Sequence, residues 1–208
     1  MKIKNRDVIV FAGDSTTDDN KLQTMDGLGH GYVRLVRNAL AAFRPREEFT
    51  IVNAGVSGNK SGELLERWER DVTACNPNVV FCMIGINDVW RHFDSISGSQ
   101  YFVSAEEYEK NLEQIESKVK GVREFVWMLP FFMESNRTDA MRRMTDEYAA
   151  VMKRVAEKHG RRVLDTQAEF DEYMQSRAGQ SISWDRVHPS EIGSMLLARA
   201  ILREMEVW

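Results

Sequence analysis

Ser15 closes the string Phe11-Ala12-Gly13-Asp14-Ser15, where a short apolar run ends on a glycine, an acid and a hydroxyl. An alcohol set just after a strand, at the start of a helix, projects from the sheet edge with its own amide N–H unpaired. Given a base within reach, it becomes a nucleophile. Such a base stands near the C-terminus, in Ser183-Trp184-Asp185-Arg186-Val187-His188-Pro189. Pro189 biases His188 away from helical geometry and opens the helix that follows. Asp185, in the same short loop, can accept the Nδ1 proton of the imidazole. That fixes the tautomer, leaves Nε2 free to take a proton and stabilises the imidazolium that forms. Taken alone, the pair reads more simply as a loop histidine capping a helix beside a solvated acid.

Acyl transfer also needs donors for a tetrahedral oxyanion. Two further strings offer them, Gly55-Val56-Ser57-Gly58-Asn59 and Gly85-Ile86-Asn87-Asp88. The candidate set is the Ser15 N–H, the Gly58 N–H and the Asn87 side-chain amide, each able to lower a barrier by about 3–4 kcal/mol. Singly, these are ordinary turn residues. Position joins them, because each string follows an apolar run.

Those runs are Val8–Ala12, Thr50–Ala54, Val79–Ile84 and Glu124–Leu129, with Arg162–Asp165 as a weaker fifth. Helix-length segments of mixed polarity separate or follow them: Tyr32–Phe43, Gly62–Cys75, Ala105–Val119, Asp139–His159 and Met195–Met205. In the fourth, Met141, Met144, Tyr148, Val151, Met152 and Val155 recur at helical steps and make one apolar face. Strands alternating with helices predict a parallel sheet covered on both faces. In such a sheet ligands bind beyond the carboxyl ends of the strands. Ser15, Gly58 and Asn87 therefore belong to one rim. At 208 residues, with no linker, repeat or low-complexity tract, the chain reads as a single domain over 1–208.

With these residues in place, the chain resembles the SGNH hydrolases, the GDSL-type esterases and lipases. The strings GDSTTD, NAGVSGN, IGINDVWR and WDRVHPS match the four blocks of that family in order, over nearly the full length. The resemblance implies Ser15 as nucleophile and first oxyanion donor, Gly58 and Asn87 as the other donors, and Asp185 and His188 as the rest of a triad. It also implies an α/β fold, a flavodoxin-like three-layer sandwich with a five-stranded parallel sheet. Thr16 stands where the family name has leucine, which touches no chemistry but weakens a strict lipase reading. GINDVWR, GHGYV, PFF and WDRVHPSEIG look most like intracellular acetyl xylan esterases. A short-chain acetyl ester on a xylan-derived or other carbohydrate is the substrate so implied.

Aromatic faces pack on sugar rings, so Trp184, Trp90 and Tyr32 are the candidates for a binding wall, although Trp90 and Tyr32 also begin helices and would serve equally as core. Asp14 and Asp88 read as loop-holding acceptors, with Arg91 as a partner for one of them. His30 and His92 read as ordinary loop residues, and His159 as a cation at a helix C-terminus. No long apolar loop suggests an acyl-chain groove.

A net charge of −4 gives no basic stripe for nucleic acid. No run approaches a membrane span or a signal peptide. Cys75 and Cys82 read as free thiols, so the expected location is cytoplasmic. The partner is a small-molecule or oligosaccharide ester. A homo-oligomer is left open by the apolar C-terminus ending in Trp208. Serine acyl transfer requires no cofactor and no metal. The alternatives are a GDSL-type lipase or thioesterase of broader acyl range, and a metal-dependent phosphatase built on Asp14, Asp18 and Asp19. A phosphopantetheine carrier serine and a catalytically dead sugar-binding module are weaker rivals.

Overall fold

Five apolar runs form one parallel sheet: β1 (Val8–Gly13), β2 (Thr50–Gly55), β3 (Val79–Met83), β4 (Glu124–Met128) and β5 (Arg162–Leu164). In this computed structural model residues 1–94 and 101–207 are described. The strand order is β2-β1-β3-β4-β5. The helices are α1 (Ser15–Asp18), α2 (Tyr32–Phe43), α3 (Ser61–Asp71), α4 (Ile86–Trp90), α5 (Ala105–Lys118), α6 (Ala140–Lys158), α7 (Thr166–Met174) and α8 (Glu191–Glu204). This is the flavodoxin-like doubly wound order, and the expected α/β sandwich is the observed one.

Alternation along each strand builds two cores. Val10, Ala12, Val80, Cys82, Phe125 and Trp127 face α3, α5 and α6. Ile9, Phe11, Val79, Phe81, Val126 and Met128 face α2, α7 and α8. With both faces covered, β1 and β3 carry almost no polar side chain, which is why they are continuous apolar runs in the sequence. Among the described residues no helix is long and apolar enough to cross a membrane. Val207 packs at the edge of the second core; Trp208 lies outside the described residues.

One local expectation differs from the structure, and one helix has no counterpart in the sequence reading. The segment Gly62–Cys75 is not one helix: α3 stops at Asp71 and a separate 3-10 turn covers Thr73–Cys75. The short α7 gives no periodic signal, because Phe170 is the only large apolar side chain it fully buries. Its start is set instead by Asp165, whose carboxylate accepts the Ala168 N–H at 3.0 Å.

The strand order reverses direction at β1, between β2 and β3. Gly13 pairs with Gly55 on one side and with Met83 on the other. The connections leaving these three strands therefore rise side by side at the switch point.

Candidate active site

β1 ends at Gly13 because nothing larger fits there: a Cβ would run into the Thr17 side chain and the Met83 carbonyl. Asp14 follows as the N-cap of α1, its Oδ1 accepting the Thr16 N–H at 3.0 Å. Ser15 then opens the helix. Its Oγ lies 2.9 Å from Nε2 of His188, across 173 positions of sequence. On the far side of the ring, Nδ1 is 2.6 Å from Oδ2 of Asp185. A carboxylate can only accept, so Nδ1 carries the proton and Nε2 is the lone pair that meets the Ser15 hydroxyl.

The loop that delivers this pair is held tightly. Oδ1 of Asp185 accepts the N–H groups of Val187 at 2.9 Å and His188 at 2.8 Å, and the Ser183 hydroxyl at 3.1 Å. Burial works to raise the Asp185 pKa, but the hydrogen bonds from His188 and Val187 outweigh it and hold the carboxyl below its ordinary value. Arg186, between them, adopts φ 69°. Its carbonyl accepts the Met133 N–H at 2.8 Å, and its guanidinium pairs with Glu134 at 2.9 Å and sits 4.8 Å from the Phe132 ring centre. These contacts fasten the loop to the connection after β4. Ser190 closes it, capping α8 through the Gly193 N–H.

On the other side of Ser15 stand the second and third strings. Gly58 adopts φ 82°, and among the described residues neither its N–H nor that of Ser15 has an acceptor within the protein. Asn87 lies on α4, its Nδ2 donating to the Asn59 carbonyl at 3.1 Å and its Oδ1 accepting from Arg91 at 3.3 Å. Asp88, fully buried, accepts the Ser61 N–H at 3.0 Å and the Ser61 hydroxyl at 2.5 Å. The Ser15 hydroxyl is thus bonded to imidazole, and the Asn87 amide is tied to the Gly58 loop through the Asn59 carbonyl. N–H groups without an acceptor are the kind of donor that stabilises a tetrahedral acyl adduct.

Several side chains end up where the sequence does not point. Tyr32 is only 1% exposed; its hydroxyl meets that of Thr17 at 2.8 Å and its ring stands edge-on to Phe11. It is core, and the expectation that it lines a substrate wall is corrected. Trp90 is half-buried, 5.8 Å edge-on from the His188 ring. Trp184 is 86% exposed beside Asp185. Arg91 pairs with Asp94 at 2.6 Å and with Asn87, not with Asp14 or Asp88, whose hydrogen bonds come from Thr16 and Ser61. The acids after β1 diverge: Asp14 caps α1, while Asp18 accepts from Ser57. Among the described residues no three His, Cys, Asp or Glu side chains are grouped to hold a metal ion, so the phosphatase arrangement is not assembled. His92 bonds the Val103 carbonyl at 3.0 Å, and His159 pairs with Glu113 at 2.8 Å at the end of α6.

Arg67 escapes the sequence reading altogether. On α3 it looks like one more solvated charge. Yet it is buried, donating to the carbonyls of Gly13 at 2.8 Å and Ala54 at 2.7 Å and to Oδ1 of Asn59 at 2.6 Å. It ties the ends of β1 and β2 to the Gly58 loop.

Burial pushes the Asp14 carboxyl up to about 7, against the pull of the Thr16 N–H and of His188, with Asp88 raising it further. Both its protonation states matter to folding. In the unfolded chain Asp14 titrates near pH 4, so between pH 4 and 7 the native state binds a proton that the unfolded state has released. Its contribution to stability is therefore complete below pH 4 and is lost as the pH rises through 7. Asp14→Asn keeps the acceptor for Thr16 and removes the titration. The stability of Asp14→Asn relative to the parent is expected to rise by about 4 kcal/mol between pH 4 and 8. Urea unfolding across that range measures it, and a difference that stays flat with pH contradicts the assignment.

The profile of the GDSL-like Lipase/Acylhydrolase family matches residues 11–196 of this chain. The chain is 41% identical over 211 residues to the acetylxylan esterase of Geobacillus stearothermophilus, covering 99% of this chain and 96% of the relative. The crystal structure of that esterase, Axe2, superposes with a TM-score of 0.94 and the same coverage. LAE5, an alpha/beta hydrolase enzyme from the metagenome of Lake Arreo, Spain, superposes with a TM-score of 0.94 at 38% identity, over 99% of this chain and 97% of that one. Solved forms of Axe2 include catalytic mutants in which a serine, an aspartate or a histidine is replaced by alanine.

Proposed function

This chain belongs to the GDSL-like lipase/acylhydrolase family and is a carboxylic ester hydrolase; from that premise we propose that it removes acetyl groups from xylan-derived oligosaccharides. Ser15 is the nucleophile, His188 the general base and then the general acid, and Asp185 the carboxylate that orients it. The observation carrying this reading is the continuous chain from Ser15 Oγ through His188 to Asp185, at 2.9 and 2.6 Å.

In acylation the Ser15 oxygen attacks the acetyl carbonyl carbon while its proton passes to Nε2. The carbonyl electrons move onto oxygen, and that oxyanion accepts from the N–H groups of Ser15 and Gly58 and from the Asn87 amide. Collapse expels the sugar oxygen, which takes the proton back from the imidazolium. Water then repeats the sequence on acetyl-Ser15 and releases acetate. Asp185 stays ionised throughout, because its hydrogen bonds hold its pKa low.

The acetyl and xylose preferences rest on the relative named as an acetylxylan esterase and on the rim. Trp184 offers an exposed ring face beside the triad, suited to the apolar face of a sugar. Cavities of about 210 Å³ beside Asn76 and Pro77, and of about 570 Å³ beside Arg142 and Asp171, contain no triad or oxyanion residue. Neither serves as an acyl-chain tunnel to Ser15. A cytoplasmic location, and with it short oligosaccharides as substrate, belongs to the same proposal.

Turnover of p-nitrophenyl esters is expected to be highest on acetate and to fall steadily with chain length. Acetate release from acetylated xylo-oligosaccharides should exceed that from acetylated alcohols lacking a sugar ring. A maximum at octanoate or longer overturns the acetyl preference, and equal rates on both acetates overturn the sugar preference.

A further inference from the structure

The Gly58 loop is held by more than the strand it leaves. Oδ2 of Asp18 accepts both the N–H of Ser57, at 3.1 Å, and its hydroxyl, at 2.7 Å. Oδ1 of the same carboxylate accepts the Lys21 N–H at 3.3 Å. Asp18 is the last residue of α1, the single helical turn that begins with Ser15. Residues three apart on a helix lie on one face. The turn that carries the nucleophile at one end thus grips, at its other end, the residue next to the oxyanion donor.

We infer that Asp18 is a positioning residue: α1 acts as a ruler that fixes the Gly58 N–H relative to the Ser15 oxygen, with the Asp18–Ser57 contact as its latch. The inference rests on the reading of Ser15 and Gly58 given above.

Three observations support it. First, α1 is itself anchored to β2. Asn53 Nδ2 donates to the carbonyls of Thr17 at 2.7 Å and Leu28 at 2.9 Å, and the Lys21 ammonium reaches the carbonyls of Asn53 and Gly55. A latch is only useful on a fixed post. Second, the remainder of the loop is pinned elsewhere, Asn59 by Arg67 and Asn87 and Val56 by the Gly13 carbonyl at 3.1 Å. The turn over residues 56–59 is closed by its own bond, Asn59 N–H to the Val56 carbonyl at 3.2 Å, and Asp18 adds the contact that ties its outer residue Ser57 to α1. Third, Ser57 and Gly58 are exposed, and Gly58 holds φ 82°. Glycine resists little if the neighbouring peptide swings. The bond between Asn59 and Val56 closes this turn, but the closed turn still tilts against α1 unless something grips its flank. The Ser57 contact does so, and it accounts for a carboxylate that the triad and the Asp14 cap do not use.

The alternative role for Asp18 is stability alone, and kinetics separates the two. Misplacing a reacting group or donor by about 1 Å costs on the order of 100-fold. Asp18→Ala should therefore lower kcat on p-nitrophenyl acetate by about 10- to 100-fold with KM within about threefold. Affinity for a boronic acid, whose tetrahedral adduct with serine places an oxygen in the oxyanion site, should fall in the same proportion as kcat/KM. Asp18→Asn keeps an oxygen that accepts both Ser57 donors, so it should retain most of the activity. Ser57→Ala, which keeps the N–H contact, should lie between them. It also serves as the test should Asp18→Ala fail to fold.

An Asp18→Ala enzyme as active as the parent overturns the latch, as do equal losses in Asp18→Ala and Asp18→Asn. So does a fall in kcat with boronate affinity unchanged. In each case Ser15→Ala is assayed beside them. If that variant stays active, the failure lies in the nucleophile assignment and not in the latch.

Discussion

Ser15→Ala is expected to lower kcat on p-nitrophenyl acetate by about 10⁵- to 10⁶-fold, the loss seen when a serine nucleophile is deleted from an intact triad. The size follows from the covalent step. Without Oγ the acyl group has nothing to transfer to, and a water would have to attack unactivated and unpositioned. What survives is the rate due to binding and the oxyanion donors, roughly 10³–10⁴ over water in comparable sites. KM should change little, because alanine removes one oxygen from a half-buried position and touches no binding wall. The melting temperature should stay within a few degrees, since the deleted atom contributes a single hydrogen bond, to His188. Steady-state kinetics with mass spectrometry of the acylated parent measures both aspects. Retained turnover, or acetylation of the variant at another serine, removes Ser15 from the mechanism.

The second large effect is at Asp185. Asp185→Asn should lower kcat by about 10⁴-fold while leaving the fold intact. An amide is nearly isosteric with the carboxylate, so the loss comes from charge and donor pattern. Oδ2 now faces Nδ1 at 2.6 Å and Oδ1 accepts from Ser183, Val187 and His188. Asparagine has one oxygen and one NH₂. If its oxygen keeps the backbone N–H groups, its NH₂ faces Nδ1 and forces the proton onto Nε2, where it blocks removal of the Ser15 proton. If its oxygen faces the ring, the backbone donors of Val187 and His188 are left opposite another donor. Either way the developing imidazolium loses its counter-charge. A variant within tenfold of the parent would show that His188 is oriented by some other group.

Much of the site was legible because its signals are local. Gly13-Asp14-Ser15 after an apolar run, and His188 before Pro189, are short-range statements about backbone geometry and proton chemistry. The strands β1, β3 and β4 were legible for a related reason: both their faces are covered, so apolar runs mark them directly, whereas the edge strand β5 is only half-buried and its run is weaker. The helix Tyr32–Phe43 was readable to its ends.

Other features were hidden in principle. Tyr32 opens α2 and looks available to a ligand, but packing of α2 against β1 seals it under Phe11. Arg91 stands close to Asp88 in sequence and reads as a partner for it or for Asp14, yet the donor to Asp88 is Ser61, from a different helix. Arg67, on an apparently polar face of α3, is buried because the strand ends offer it carbonyl oxygens. A charge in sequence reads as solvated, and only the fold supplies the acceptors that let it be buried.

By itself, then, the sequence determined the stock of reactive groups, the sheet and the rim on which they stand, since strand periodicity, turn preference and imidazole chemistry act over a few residues. Which side chains meet across that rim was decided by the tertiary structure. The bond between Ser15 and His188 spans 173 positions, and the grip of Asp18 on Ser57 joins two separate connections. Such contacts depend on how layers pack, and packing energy is shared among residues that no local window contains.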